Sequence, residues 1–305
     1  MTTMLAPTCP LSHEGTDQPD CSRRLVLHEC LEALEQRAEL GIVDTGRYRC
    51  RFVVWGKGPT LVLIPGMGTD SRAFAMLMAR LSPFFRCVSY DLPDGRGDGA
   101  HLMSYRHCDL AGDLLALLDH LALPQCAVLG SSFGATIALA ALHAQPHRFS
   151  RAMLQGGFAR RPLAPAEVLA ASFARFWPGN LGDLPLVERV LSMKAEAEFA
   201  GREPEVWRFF VEQNLTIPLQ AFALRALMIH RLDLRPILPT IRHPVMLVCG
   251  DRDTLVGKEC ERELMNGLPT AARAEIENCG HVPQFTHPEV LAEVVRHFLA
   301  PAACG

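Results

Sequence analysis

Gly130-Ser131-Ser132-Phe133-Gly134 is the stretch on which the fold turns. Residues 125–129, before it, form a short apolar run of the kind that makes a buried strand. Residues 135–142, after it, are alanine-rich and apolar, the pattern of a buried helix. A serine at such a strand-to-helix corner sits on a strained backbone, with its hydroxyl pushed out at the end of a sheet. The two glycines leave no side chain to strike neighbouring backbone. Ser132 is therefore a candidate nucleophile. Alone, the pattern is weak, because Ser132 could equally cap the helix that follows it. A nucleophilic reading needs a base, an acid and an anion-stabilising pocket elsewhere in the chain.

Outward from that corner, apolar runs alternate with helical patterns. Residues 41–44 and 48–55 read as strands joined by Thr45-Gly46. Residues 60–64 are continuously apolar, as in a strand buried on both faces. Further strands are expected over 85–90, 149–154, 245–249 and 272–276. Helices are expected over 23–40, where Leu27, Cys30, Leu31, Leu34 and Ala38 share a face, and over 73–81, 105–121 and 288–299. The alternation predicts an α/β fold with a mostly parallel, doubly wound sheet.

Residues 158–239 break the rhythm. They offer helical patterns, with Pro165, Pro185, Pro204 and Pro218 placed to open helices and Gly179 and Gly201 to close them. Eight aromatic residues lie here, from Phe173 to Phe222, and are expected to form this segment's own core, with some lining an apolar pocket. The expected organisation is a flexible leader over 1–22, a core over 23–157, a helical cap inserted between core strands over 158–239, and the rest of the core over 240–300.

Bulk composition narrows the function classes. The chain has 305 residues, 49% of them hydrophobic, enough for a sizeable core. A net charge of −3 and scattered Lys and Arg argue against nucleic-acid binding. No apolar run reaches the roughly 20 residues of a membrane span, and the N-terminal stretch does not read as a secretory signal. Eleven cysteines at irregular spacing, without Cys-x-x-Cys, suit a reducing cytoplasm better than a disulfide framework. His143 and His147 flank Pro146 with no carboxylate between them, so no metal site is expected.

Four motifs in fixed order give the chain, over roughly residues 48–299, a resemblance to the α/β-hydrolase family in its lidded esterase-type form. The first is Pro65-Gly66-Met67-Gly68, after the apolar strand. The resemblance implies an oxyanion hole made by the backbone amides of Met67 and Phe133. Members usually carry His-Gly where this chain has Pro65-Gly66. The second motif, residues 91–98, is similar to the family's structural loop, so Asp94 and Asp98 are expected to make turn hydrogen bonds. The third, Gly250-Asp251-Arg252-Asp253, implies Asp253 as the acid, with Asp251 as competitor. The fourth, Gly280-His281 followed by Pro288-Glu289, implies His281 as the base, with Thr286 standing where a glutamate is frequent.

Ser132, Asp253 and His281 run in the family's chain order. The cysteine usage makes a cytoplasmic location the expected one, and the resemblance implies a serine hydrolase acting on an ester, thioester or lactone of a small to medium apolar acid, with no cofactor. Its partner would be a small-molecule substrate, and a homo-oligomer is compatible with the reading. The same residues would also serve carbon–carbon bond hydrolysis, amide hydrolysis, acyl transfer or perhydrolysis, or a slow-turnover receptor of the same fold.

Overall fold

The computed structural model describes residues 26–300. Eight strands form one sheet in the order β1-β2-β4-β3-β5-β6-β7-β8. They are β1 (Glu39–Asp44), β2 (Arg49–Trp55), β3 (Thr60–Ile64), β4 (Arg86–Tyr90), β5 (Cys126–Ser131), β6 (Phe149–Gln155), β7 (Val245–Gly250) and β8 (Ala271–Ile276). Pairing from β4 through β3 to β8 is parallel, while β1 and β2 pair antiparallel at one edge. The mostly parallel α/β architecture expected from the sequence is the one observed.

The central strands are apolar on both faces because both are covered. Val62 and Ile64 of β3 pack with Val128, Ala152 and Leu154 on one side. Leu61 and Leu63, one residue out of phase, pack with Leu129 and Met153 on the other. The first face is covered by α3 (His107–His120), α4 (Phe133–Ala144) and α9 (Lys258–Gly267), through residues such as Leu114, Ile137 and Leu264. The second is covered by α1 (Leu27–Arg37), α2 (Ala75–Leu81) and α11 (Pro288–Leu299), through Leu34, Leu77 and Leu291. This two-faced burial is why β3 and β5 read as unbroken apolar runs rather than as alternating ones.

The first helix ends earlier than its periodicity suggests. The backbone is extended at Ala38, and Glu39 and Leu40 join β1 opposite Val54 and Val53. A ladder of main-chain bonds outweighs a turn of helix whose last residues, Glu39 and Leu40, bury little. The leader expected over residues 1–22 lies outside the described residues.

Between β6 and β7 the chain forms α5 (Pro165–Ala174), α6 (Val187–Ala195), α7 (Pro204–Leu215) and α8 (Leu219–Arg231). Pro165 and Pro204 occupy first turns as expected, Pro218 caps α8, and Pro185 falls one residue before the cap of α6 rather than in its first turn. Gly179 and Gly201 both take positive φ. The aromatic residues divide rather than gathering into one core. Phe199, Trp207 and Phe210 stack on one another, and Phe210 meets Phe285 of α10 (Pro283–Thr286) at 5.3 Å between ring centres. That cluster fastens the inserted helices to the sheet domain. Phe173, Phe176 and Trp177 are 72%, 64% and 61% exposed, so they belong to no core. Among the described residues no helix is long and apolar enough to cross a membrane.

Candidate active site

The parallel strands all end at one edge of the sheet, and the sequence-derived residues follow those ends: Met67 after β3, Ser132 after β5, Asp253 after β7 and His281 after β8. Ser132 has φ 53° and ψ −113°, a conformation that an L-residue adopts only when its surroundings hold it there. Its amide donates to Gln155 O at 2.8 Å. On either side, a Cβ at Gly130 would overlap the Gly134 carbonyl, and a Cβ at Gly134 would overlap the Ile64 carbonyl. Tight backbone packing therefore demands glycine at both positions and keeps the corner sharp.

His281 and Asp253 meet directly. His281 Nδ1 lies 2.7 Å from Asp253 Oδ2, and both side chains are buried. Asp253 Oδ1 accepts the Leu255 and Val256 amides, each at 2.9 Å. Burial opposes ionisation of this carboxyl. The bond from His281 and the two amides outweigh it and hold the carboxyl below its ordinary range. An ionised acceptor assigns the Nδ1 proton to the imidazole and leaves Nε2 with its lone pair. Asp251, the competing aspartate, accepts the Cys279 amide at 3.0 Å. Asp98 accepts the Asp94 and Ala100 amides, and Asp94 accepts that of Arg96, so both close turns.

Ser132 and His281 line one cavity of ≈ 720 Å³. No hydrogen bond joins the Ser132 hydroxyl to the imidazole; the two residues are linked through the end of β6. Ser132 N binds Gln155 O, and the next residue, Gly156, packs against the His281 ring. Ser131 also lines the cavity, but it is 2% exposed and its hydroxyl accepts the side-chain amides of Gln155 and Gln284. Met67 also lines the cavity. Phe133 heads α4, so its amide lies at the electropositive end of that helix. The remaining walls are mainly apolar, with Ala170, Phe173, Trp177, Phe222 and Ala223 among them, and Arg161, Glu167 and Asn214 add polar groups.

Several residues that hold this arrangement carry no sequence signal that singled them out. Gln155 Nε2 bonds both Ser131 Oγ (3.0 Å) and His281 O (3.1 Å), tying the serine corner to the histidine loop. Thr136 donates to Phe133 O at 2.7 Å and must then accept from His107 Nε2 at 2.8 Å. Burial pulls the His107 pKa to about 4 and keeps it neutral. Glu198 and Arg225, from the inserted segment, bond the backbone of the His281 and Met67 loops. Arg225 had one faint signal. It shares a helical face with Ala221 and Ile229, both buried, in an otherwise apolar segment. Glu198 had none.

Taken together, the site has a hydroxyl on a strained corner, an oriented imidazole and an apolar chamber, the parts needed to transfer an acyl group. The family model described as the alpha/beta hydrolase family matches residues 61–294. The chain is 26% identical to a pimeloyl-[acyl-carrier protein] methyl ester esterase of Aeromonas hydrophila, covering 80% of this chain and 97% of that protein. It is 29% identical to part of the polyketide synthase ThaQ of Burkholderia thailandensis, over 83% of this chain, and spans only 12% of that protein's length. Among solved structures it is similar to the enol-lactonase of Burkholderia xenovorans, with a TM-score of 0.75 at 24% identity, covering 85% of this chain and 99% of that one. At that identity the structural likeness shows the fold.

Proposed function

Because the chain belongs to the alpha/beta hydrolase family, we propose that it is a serine hydrolase cleaving an ester, thioester or lactone of a small to medium apolar acid. In this reading Ser132 is the nucleophile, His281 the base and then the acid, and Asp253 the carboxylate that orients His281. The amides of Met67 and Phe133 form the oxyanion hole, and residues 158–239 act as a cap over the site. The observation that carries it is the 2.7 Å His281–Asp253 bond beside an apolar cavity that Ser132 also lines.

The chemistry follows from those groups. His281 Nε2 takes the Ser132 proton as Oγ attacks the carbonyl carbon, and the resulting imidazolium is stabilised by Asp253. The tetrahedral oxyanion sits against the two amides, each worth about 3 kcal/mol in comparable sites. His281 then protonates the leaving oxygen or sulfur as its bond to carbon breaks, leaving Ser132 acylated. Water, deprotonated by His281, attacks that ester and returns the serine and the free acid. Side chains, substrate and water supply every proton in the cycle. The apolar walls favour an apolar acid, and the relatives named as methyl ester esterases favour an ester as the bond cleaved. The described cysteines are free thiols, which supports a cytoplasmic setting.

The test is hydrolysis of p-nitrophenyl acetate, butyrate and octanoate by the parent and Ser132→Ala. Turnover should fall at least about a thousandfold in the variant. A fluorophosphonate should label Ser132 in the parent. Parent-level turnover by Ser132→Ala, or labelling confined to another residue, rules the reading out.

A further inference from the structure

Two charged side chains of the inserted segment reach the strand-end loops from different directions, and the mechanism above uses neither. Glu198 lies in the single turn Glu196–Phe199 between α6 and α7. Its Oε2 accepts the His281 amide at 2.8 Å, and the nearby Val282 amide also favours the charged carboxylate. Space for it comes from Gly280, where any Cβ would overlap the Glu198 carboxylate. Burial raises the Glu198 carboxyl above its ordinary range, and the two amides and the nearby His281 counteract that only in part.

Arg225, on α8, is 5% exposed. Its Nη1 donates to Met67 O at 2.6 Å, and its Nη2 to Pro93 O at 3.0 Å and Leu92 O at 3.3 Å. One guanidinium thus spans the loop after β3 and the loop after β4. Burial pulls its pKa to about 10, which still leaves it cationic at neutral pH. Its hydrogen-bond partners are carbonyl oxygens rather than a carboxylate.

Burying a lone charge is costly, and an apolar residue of similar shape generally serves stability as well or better. An insertion whose only task was to roof a cavity could be seated by its apolar contacts, which the Phe199–Trp207–Phe210 cluster already makes. What the two charges add is direction. One fixes the loop that carries the base, and the other fixes the residue whose amide faces the developing oxyanion. We infer that Glu198 and Arg225 are positioning residues, through which the seating of the inserted helices sets the geometry of His281 and of the Met67 turn. The inference rests on the triad reading given above.

The test compares parent, Ser132→Ala, Glu198→Gln and Arg225→Lys on p-nitrophenyl butyrate, with active sites counted by fluorophosphonate titration. Positioning predicts kcat lower by about 10- to 100-fold in Glu198→Gln and Arg225→Lys, with KM within about threefold. In Arg225→Lys the affinity for a trifluoromethyl ketone, which builds the oxyanion, should fall by a similar factor, while inhibition by butyrate is unchanged. Parent-level kcat in both, beside an inactive Ser132→Ala, overturns the inference and leaves the hydrolase reading intact. Activity in Ser132→Ala overturns that reading instead.

Gly280→Ala supplies a second route that spares both charged residues. Its methyl group should displace the Glu198 carboxylate and lower kcat as Glu198→Ala does. The Gly280→Ala/Glu198→Ala double variant should then be no slower than Glu198→Ala alone. Fully additive losses overturn the role of Glu198.

Discussion

Gly156→Ala is expected to slow turnover sharply while the fold survives. Gly156 follows β6 with φ 53°, and a Cβ built there lies 2.7 Å from His281 Cε1 and 2.9 Å from Nδ1. Restoring an ordinary carbon–carbon contact of about 3.5 Å moves the ring by roughly 0.8 Å. The ring cannot retreat freely, because Nδ1 is held 2.7 Å from Asp253 Oδ2. A displacement on the order of 1 Å costs about a hundredfold in rate, so kcat should fall about 100-fold. KM should change little, since the apolar walls are untouched. Alanine in the left-handed region costs roughly 1–2 kcal/mol. For a chain of 305 residues that is about 2–3 °C in Tm. Gly46→Ala is the control, having φ 82° and no atom within 4 Å of the added Cβ. It should lower Tm by a similar amount and leave kcat alone. The assay is steady-state hydrolysis of p-nitrophenyl butyrate per titrated active site, beside thermal melts. Parent-level kcat in Gly156→Ala, or an equal loss in Gly46→Ala, refutes the reasoning.

Two further outcomes follow from the same geometry. Asp253→Asn should lower kcat by about 10⁴-fold with near-parent KM, because the wrong imidazole tautomer is favoured. Asp251→Asn, which weakens the bond to the Cys279 amide, should lower Tm and cost far less activity; equal losses in the two would refute the assignment of roles. His107 should make stability depend on pH. The unfolded chain binds a proton near pH 6.5, but the folded one only near 4. Stability is therefore lost as pH falls through that window, by about 3 kcal/mol in total. Urea midpoints measured between pH 7 and 4.5 should fall less in His107→Gln than in the parent, and parallel declines would refute the assignment.

Much of the architecture was legible because it rests on short-range rules. β3 and β5 carry unbroken apolar stretches, Leu61–Ile64 and Cys126–Leu129, because helices cover both faces, and that burial pattern is written directly into the residues. The serine corner was legible because only glycine fits at 130 and 134. Strand ends in a parallel sheet share an edge, so residues that follow them are neighbours regardless of chain separation. Asp253 and His281 are neighbours of that kind, 28 residues apart in the chain. Contacts made by the inserted helices were not legible. Glu196 and Glu198 look alike in sequence, and only the docked geometry turns one of them toward the His281 amide. Phe173 and Trp177 looked like core for the same reason: apolar character marks a preference for burial but names no partner, and here both line the cavity while staying largely exposed.

Five of the buried polar side chains converge on the candidate site, while others, such as Ser89, Asp113 and Gln213, serve elsewhere. Ser131, Thr136, Gln155, Arg225 and Gln284 are each at most 5% exposed, and each bonds a loop, or a residue beside one, that carries a proposed catalytic group. Apolar replacements would remove the cost of burying them. The Gln155 and Gln284 carbonyl oxygens have no protein hydrogen-bond partner among the described residues. Their effect is to over-determine the backbone at the places where it is strained. Ser132 stays at φ 53° because its amide is bonded to Gln155 O, its neighbour Ser131 is gripped from two sides, and Phe133 O is held by Thr136. A conformation costing roughly 1–3 kcal/mol persists only under such restraint. These bonds therefore connect strain at the nucleophile to order at the histidine, with Gln155 touching both. Loosening that one side chain should disturb both ends together, whereas an apolar substitution elsewhere in the sheet would disturb neither selectively.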